Sequence, residues 1–368
     1  MASRPVAQGS WYSMKTLHIQ NIIVPIDFSR MSLQAIHIAR RLTRRFGASM
    51  HLAHVRQFNY AADFMAPAPP IIPFAFTTYE QDRLQIALKD LKKVANECGV
   101  SSAKCDVLSG GPPFDEICRL AQTIPADLIV MPTHGRTGLK HVFLGSTAER
   151  IVQHASCPVL VTREKGSQAN NGSCFRVKRI LVPVDFSNCS REGLRYAIAF
   201  ANEFAARIIL LHSTYLGYIY SAEGTALYDI PALQKAARKN AERKMRELTR
   251  SVNFGAVKFE TAFTDGSPVI DICGFAKDQD VDLIITSTHG FTGFTHVLIG
   301  SVAEQVVRHA SCPVLVVPSH PHVRAANLAR PAGAKVNRVA EQRQSPIVAK
   351  RKVVTRKDRG IASHAFPK

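Results

Sequence analysis

Residues 21–29 read Asn-Ile-Ile-Val-Pro-Ile-Asp-Phe-Ser, and residues 179–187 read Arg-Ile-Leu-Val-Pro-Val-Asp-Phe-Ser. The two aspartates are 158 residues apart (185 − 27). A second stretch, His-Ala-Ser-Cys-Pro-Val-Leu-Val, is identical at residues 154–161 and 309–316, with an offset of 155 (309 − 154). The repeated unit of about 140 residues is far longer than the roughly 20–50 residues of a solenoid repeat. The chain is therefore predicted to contain a duplicated domain.

Each half alternates short apolar strands with amphipathic helices. The first predicted strand, residues 22–26, is apolar throughout, as expected for a strand that is buried on both faces. Leu84, Leu88, Leu91 and Val94 recur at the spacing of a helix. Strands that alternate with helices indicate βαβ units and a parallel sheet. We therefore predict an α/β fold with two tandem, doubly wound, Rossmann-like domains, each with five parallel strands in the order 3-2-1-4-5.

The same pattern divides the chain into segments. An N-terminal extension (1–19) precedes the first domain (20–163), and a linker rich in Gly, Ser and Asn (164–176) leads to the second domain (177–318). We expect the domains to stack about a pseudo-twofold axis. Edge strands need cover, so we expect the final strands, 158–162 and 313–317, to lie at or near the interface between the domains.

The positive charge is concentrated in the tail, residues 319–368. The whole chain has a formal net charge of +19, and the tail holds twelve Lys or Arg against two acidic residues. It shows no sustained apolar period, which is typical of disorder. A solvated extension is one interpretation. The alternative is a weak contact with nucleic acid or an anionic surface.

Composition narrows the class of protein. We find no run of 18 apolar residues and no signal-like N-terminus, so we expect neither a membrane span nor secretion. The eight cysteines form no CxxC pair and no zinc-ligand spacing. This pattern predicts free thiols in a reducing compartment. Together these observations predict a cytoplasmic protein.

The most informative polar residues follow the first and fourth predicted strands. These strands are neighbours at the switch point of the predicted order, where such sheets bind ligands. Residues 133–135 read Thr-His-Gly, and Gly145-Ser146 follow after nine residues; residues 288–290 and Gly300-Ser301 repeat this pattern. Glycine allows close approach of a backbone, and a helix N-terminus favours an anion. The pattern predicts a phosphate cradle beside Asp27 and Asp185, although it lacks the Gly-Lys-Ser/Thr of a P-loop.

Structural roles could explain these residues singly. Residues 146–149 and 301–304 both fit the S-x-x-E capping box. The aspartates could serve only the turns, and we expect His134 and His289 to form loop hydrogen bonds because no second metal ligand is suitably spaced. Capping explains neither the upstream glycines nor the shared spacing of nine residues.

The three repeated motifs together resemble those of the universal stress protein family, over about 20–163 and 177–318. The resemblance implies the sheet order given above and pairing through the last strands, within the chain or in a homodimer. Many members bind ATP through Gly-x2-Gly-x9-Gly-Ser/Thr, with an aspartate on the nucleoside and the last Gly-Ser/Thr on the phosphates. The residues so implied are Asp27, Gly135, Gly145 and Ser146, then Asp185, Gly290, Gly300 and Ser301.

Both halves depart from that pattern at its first glycine, where Pro132 and Ser287 stand. Beside the second glycine, Arg136 can contact a phosphate in the first half, whereas Phe291 cannot in the second. We expect a cytoplasmic stress-response protein that binds ATP, with or without Mg²⁺, in one or both halves. A scaffold of the same fold without a ligand is the alternative. No dedicated general base is recognisable, so we expect at most slow ATP hydrolysis and otherwise no enzyme.

Overall fold

The computed structural model describes residues 18–57, 73–134, 144–163, 175–215, 229–288 and 300–318, with side chains from residue 80 onward in the second range. The expected disordered tail lies outside these residues. The described cysteines form no disulfide. Within the described ranges, no helix combines the length and apolar character that crossing a membrane requires.

Strands and helices alternate through both halves. The elements of the first half are β1 (Asn21–Pro25), α1 (Arg30–Phe46), β2 (Ser49–Arg56), α2 (Pro73–Glu97), β3 (Lys104–Ser109), α3 (Pro113–Thr123), β4 (Leu128–Pro132), α4 (Ser146–His154) and β5 (Val159–Thr162). Those of the second are β6 (Arg179–Pro183), α5 (Asn188–Phe204), β7 (Arg207–Ser213), α6 (Ile230–Ser251), β8 (Phe259–Thr264), α7 (Pro268–Asp278), β9 (Leu283–Ser287), α8 (Ser301–His309) and β10 (Val314–Val317).

All ten strands form one sheet in the order β3-β2-β1-β4-β5-β10-β9-β6-β7-β8. Each half has the order 3-2-1-4-5, which confirms the predicted fold class. The expectation that the halves stack is wrong, because they lie side by side in one sheet. The final strands β5 and β10 form the join, in the only antiparallel pairing among the described strands, with Leu160 opposite Leu315.

Helices cover both faces of this sheet. Side chains alternate along each strand, so Ile22 belongs to one core and its neighbour Ile23 to the other. Helices α1, α2, α5 and α6 pack on the first face, and α3, α4, α7 and α8 on the second. Both cores contain buried residues of both halves. The protein therefore has three layers that continue across the join.

The halves also meet through their helices. On the first face, Phe46 of α1 packs edge-on against Phe200 of α5, with ring centroids 5.7 Å apart. On the second face, Arg308 of α8 contacts Glu149 of α4 at 3.2 Å and Glu304 of its own helix at 2.8 Å. The guanidinium of Arg163, just after β5, donates to the carbonyl oxygens of Val307 and Arg308. These contacts satisfy part of the C-terminal end of α8, where carbonyl groups lack partners within the helix.

Candidate functional site

The predicted site residues of each half meet at one edge of the sheet. Strand β1 pairs with β2 on one side and β4 on the other, and β6 lies in the same way between β7 and β9. Parallel strands end at the same edge, so the loops after β1 and β4 emerge next to each other. The switch-point arrangement that the sequence predicts is therefore present in both halves.

The loop after β1 is a tight turn closed by its aspartate. Oδ1 of Asp27 accepts a hydrogen bond from the backbone N–H of Ser29 at 3.0 Å. Ser29 in turn caps α1, because its side chain accepts from the N–H of Ser32. Ser29 is thus the N-cap of α1. Between them, Phe28 has φ of 63°, a left-handed conformation that is uncommon for a non-glycine residue.

The second half repeats this turn closely. Oδ1 of Asp185 accepts from the N–H of Ser187 at 3.0 Å and from its hydroxyl at 2.6 Å. Phe186 has φ of 65°. Backbone strain of this kind is concentrated at functional sites and persists when the surroundings enforce it. Both aspartates thus have the structural role that we considered, and both remain partly exposed at the edge where the loops converge.

Each strained phenylalanine packs on a histidine that the sequence reasoning missed. The rings of Phe28 and His54 are 4.6 Å apart, and those of Phe186 and His212 are 4.5 Å apart. Nδ1 of His54 contacts the carbonyl oxygen of Ile26 at 2.7 Å, which assigns a proton to Nδ1. The two histidines are 158 residues apart (212 − 54), the same offset as the two aspartates. That shared offset was the signal available in the sequence.

Helix α4 begins without a side-chain cap. Its N-cap is Gly145, which has no side chain, and among the described residues no side-chain hydrogen bond caps this end. Ser146 is exposed at the first helical position, and Glu149 pairs with Arg308 of the other half instead. The capping-box interpretation is therefore wrong for residues 146–149. Among the described residues, the first backbone bond of this helix is from the N–H of Glu149 to the carbonyl of Gly145.

Helix α8 begins in the same way. Gly300 is its N-cap, the described part of the chain supplies no side-chain cap, and Ser301 is exposed. Glu304 pairs with Arg308 at 2.8 Å, so the capping box is also wrong for residues 301–304. Each helix therefore presents an uncapped first turn at the edge of the sheet that carries the aspartate of its own half. Uncapped N–H groups and the helix dipole together favour an anion at such an end.

Gly145 holds the start of α4 against the end of β4. Its N–H donates to the carbonyl of Thr133 at 2.8 Å, and Gly300 donates to Thr288 at 2.5 Å. A Cβ at Gly145 would lie 3.3 Å from the carbonyl oxygen of Thr133. Its φ of −61° is open to any residue. Glycine is therefore favoured here by the close approach of two backbones and not by the backbone angle.

His134 forms the loop hydrogen bond that we predicted. Its Nδ1 lies 3.0 Å from Oγ1 of Thr133, while its buried Nε2 has no partner among the described residues. Burial, and to a smaller extent the charge of Arg163, lower the pKa of His134 below its ordinary value. His289 lies outside the described residues.

Four other residues named by the sequence also lie outside the described residues: Gly135, Arg136, Gly290 and Phe291. Their roles stay predictions. Pro132 and Ser287, which replace the first glycine of the pattern, are the buried last residues of β4 and β9. They therefore belong to the sheet and not to the loops that follow it.

The second half has cations beside its aspartate turn that come from α6. Nζ of Lys244 lies 5.7 Å from the ring centroid of Phe186, and the guanidinium of Arg238 lies 4.7 Å from that of Phe263. Helix α2 of the first half is the equivalent of α6. When the two helices are aligned at their last residues, Glu97 and Ser251, the residue numbers differ by 154 (251 − 97). At that offset Lys244 corresponds to Asp90. Only the second half has a cation at this position.

Lowering the pH from about 7 to 5 is expected to destabilise the protein through His212. Burial is the main cause that lowers the pKa of His212 from 6.5, and the charges of Lys244 and Arg238 add to it. Below pH 6.5 the unfolded chain therefore binds more protons at this histidine than the folded protein does. As the pH is lowered, the free energy of unfolding decreases. Urea unfolding at both pH values should show a smaller loss for His212→Asn. Equal losses in both proteins would contradict this assignment.

Comparison with known proteins finds similarity over most of the chain. The model of the universal stress protein family matches residues 18–163 and 176–318. The chain is 30% identical over 140 residues to a universal stress protein of Methanocaldococcus jannaschii, covering 38% of this chain and 81% of that protein. It is 25% identical over 297 residues to one of Mycobacterium tuberculosis, covering 80% and 95%.

A solved structure shows the same fold. The universal stress protein from Archaeoglobus fulgidus superposes with a TM-score of 0.53 at 19% identity, covering 82% of this chain and 98% of that one. At this identity the similarity concerns the fold alone.

Proposed function

The chain belongs to the universal stress protein family, and from this premise we propose that it binds an adenine nucleotide, ATP, at the switch point of each half. The observation that carries the proposal is the uncapped first turn of α4 and of α8. Each lies beside the strained aspartate turn of its own half. Helices α3 and α7 also begin without a side-chain cap, so the feature that distinguishes α4 and α8 is their position beside the aspartate turn of their own half.

The proposed phosphate contacts are backbone groups and one hydroxyl. The N–H groups of the first turn of α4, together with the exposed hydroxyl of Ser146, would donate to phosphate oxygens. Gly145 keeps space for this approach because it has no side chain. In the second half, Gly300 and Ser301 would act in the same way. Each hydrogen bond to a charged oxygen contributes about 1.5–3 kcal/mol.

The proposed nucleoside contacts lie in the loops after β1 and β6. The partly exposed carboxylate of Asp27 or Asp185 can accept a hydrogen bond from a hydroxyl or amine of the nucleoside. Hydrogen bonds from the backbone N–H groups of Ser29 and Ser187 hold these carboxylates in place relative to the sheet. Gly135, Arg136 and Gly290 complete the proposed sites, and Mg²⁺, where present, would accompany the phosphates.

The two halves differ in where a cation can meet the nucleotide. In the first half Arg136 is proposed to contact a phosphate. In the second half Phe291 removes that contact, while Lys244 supplies a charge beside the aspartate turn. Loss of one charge-assisted contact, about 1.5–3 kcal/mol, corresponds to roughly ten- to a hundredfold in affinity. We propose the first half as the stronger site, by a margin that Lys244 reduces.

We propose further that the protein acts in the cytoplasm in a stress response, with ATP as a bound ligand. Slow hydrolysis of ATP is the most that we propose as activity. The second candidate function is a scaffold of the same fold that has lost its ligand. The continuous ten-stranded sheet favours it as a rigid platform.

ATP is expected to bind at least about a hundredfold more tightly than adenosine, because two or more charge-assisted phosphate contacts add about 3 kcal/mol or more. Calorimetric titration of the purified chain with each ligand measures the ratio and the number of sites. Nucleotide retained through purification, counted per chain, is the independent check. A chain that neither retains nor binds ATP would support the scaffold function.

A further inference from the structure

The two layers of helices differ strongly in charge. On the first face, α1 and α6 each have a net charge of +5, and α2 and α5 are neutral. On the second face, α3 and α7 each have −1, and α4 and α8 are neutral. The totals are +10 and −2. The charge of the folded part of the chain is therefore concentrated on one side of the sheet.

On this basic face, α6 presents the cations that are available to a partner. Most arginines of α1 are already engaged; Arg40, for example, donates to the carbonyl of Cys98, and Arg45 pairs with Glu203. Five exposed cations recur along α6 at spacings of three and four residues. They are Lys235, Lys239, Arg243, Arg246 and Arg250, which we call the basic stripe.

The basic stripe follows one side of the helix. At 100° per residue, its members fall within an arc of about 80°, and it is about 22 Å long at 1.5 Å per residue. Arg243 pairs with Glu247 at 2.6 Å. Among the described residues, the other four have no acidic partner. Lys244, which faces the aspartate turn of the second half, lies on the opposite side of the helix, so the stripe is separate from the proposed nucleotide site.

The first half lacks such a stripe. At the offset of 154 that matches α2 with α6, the corresponding residues are Gln81, Gln85, Lys89, Lys92 and Asn96. Three of the five are neutral, and acidic residues such as Asp82 and Asp90 stand next to them. The fold thus does not require these cations, since the equivalent helix forms without them.

We propose that the basic stripe of α6 binds the phosphate backbone of double-stranded nucleic acid without reading its sequence. A net charge of +10 on this layer of helices, with Lys and Arg aligned along one helix, is the electrostatic footprint of such binding. A stripe of about 22 Å spans roughly six or seven base pairs, at 3.4 Å per step along each strand.

A lipid surface fits this helix less well. An interfacial helix inserts exposed apolar side chains into the membrane. The apolar residues Ala241, Met245 and Leu248 of α6 are buried in the core. Among the described residues, the exposed large apolar side chains lie on other elements: Ile86, Tyr215, Phe259 and Ile270.

The test exchanges three stripe residues for their counterparts in α2: Lys235→Gln, Lys239→Gln and Arg250→Asn. Binding of the full chain to a random-sequence DNA duplex is measured across a range of salt concentrations. Each phosphate contact contributes about 0.9 to the slope of log K against log salt. The triple variant should therefore lose about 2.7 from the wild-type slope, with its unfolding midpoint unchanged.

A matched control removes three cations from α2, with Lys89→Gln, Lys92→Gln and Lys93→Gln. This control lowers the net charge by the same amount as the triple variant of the basic stripe, and it leaves the basic tail intact. Its slope of log K against log salt should therefore differ from that of the wild type by less than about 1. Equal losses in both variants, no loss in either, or no duplex binding by the wild type would overturn the proposal. So would a stripe-dependent interaction with anionic vesicles but not with DNA.

Discussion

Replacing Leu160 with alanine is expected to lower the free energy of unfolding by about 2–5 kcal/mol, the usual range for a buried leucine. Leu160 is fully buried in β5 and lies between Val130 of β4 and Leu315 of β10. Its side chain belongs to the core that both halves share. The substitution should therefore destabilise both halves together. We expect one cooperative transition in the wild type and in the variant.

Scanning calorimetry and urea unfolding monitored in each half check this result. The control is Ile86→Ala on α2, whose side chain is 54% exposed. An exposed substitution of this kind changes stability by about 0.5 kcal/mol or less. Two separate transitions, with only one moved by Leu160→Ala, would show that the halves unfold independently despite the joined sheet.

The fold of each half could be predicted from the sequence because its signals are local and repeated. Apolar strands such as residues 22–26 alternate with amphipathic helices, and this pattern fixes a parallel sheet. The join was less predictable. Residues 159–161 and 314–316 are apolar, but this pattern does not indicate which strand each of them pairs with. Their antiparallel pairing depends on contacts between distant parts of the chain. We expected the domains to stack, but edge pairing covers both final strands at once.

The candidate site could be predicted only in part, for a similar reason. Asp27 was found because its motif recurs at Asp185, and Gly145 because the spacing of nine residues that precedes it recurs before Gly300. His54 lies in a strand and looks like a core residue until the turn at Phe28 packs on it. The S-x-x-E pattern at residues 146–149 led to a wrong prediction of a capping box, because a capping box requires Ser146 to precede the helix. The helix instead begins at Ser146, and its Glu149 contacts Arg308, a residue 159 positions away.

The antiparallel join also sets the relation between the two proposed sites. Strands β1 to β5 run parallel to one another, and so do β6 to β10, while β5 and β10 run in opposite directions. The carboxyl ends of the two halves therefore lie at opposite edges of the sheet. A substitution in one site should leave the geometry of the other unchanged, so each half can serve as the control for the other.

Gly145→Val is expected to reduce ATP affinity at the first site by about a hundredfold or more, while the second site keeps its affinity. The added Cβ would lie 3.3 Å from the carbonyl of Thr133, and the γ-methyl groups would extend toward the proposed phosphates. Loss of two charge-assisted hydrogen bonds, at about 1.5–3 kcal/mol each, exceeds two decades in affinity. Calorimetric titration should show one site per chain in place of two.

Gly300→Val is the matched variant and should remove only the second, weaker site. Neither substitution demands a forbidden backbone angle, because φ is −61° at Gly145 and −69° at Gly300. Any loss of stability therefore comes from local crowding, and urea unfolding of each variant separates that loss from the loss of binding. If both variants bind ATP as the wild type does, the uncapped turns of α4 and α8 are not phosphate sites. The nucleotide, if bound at all, would then contact some other part of the chain.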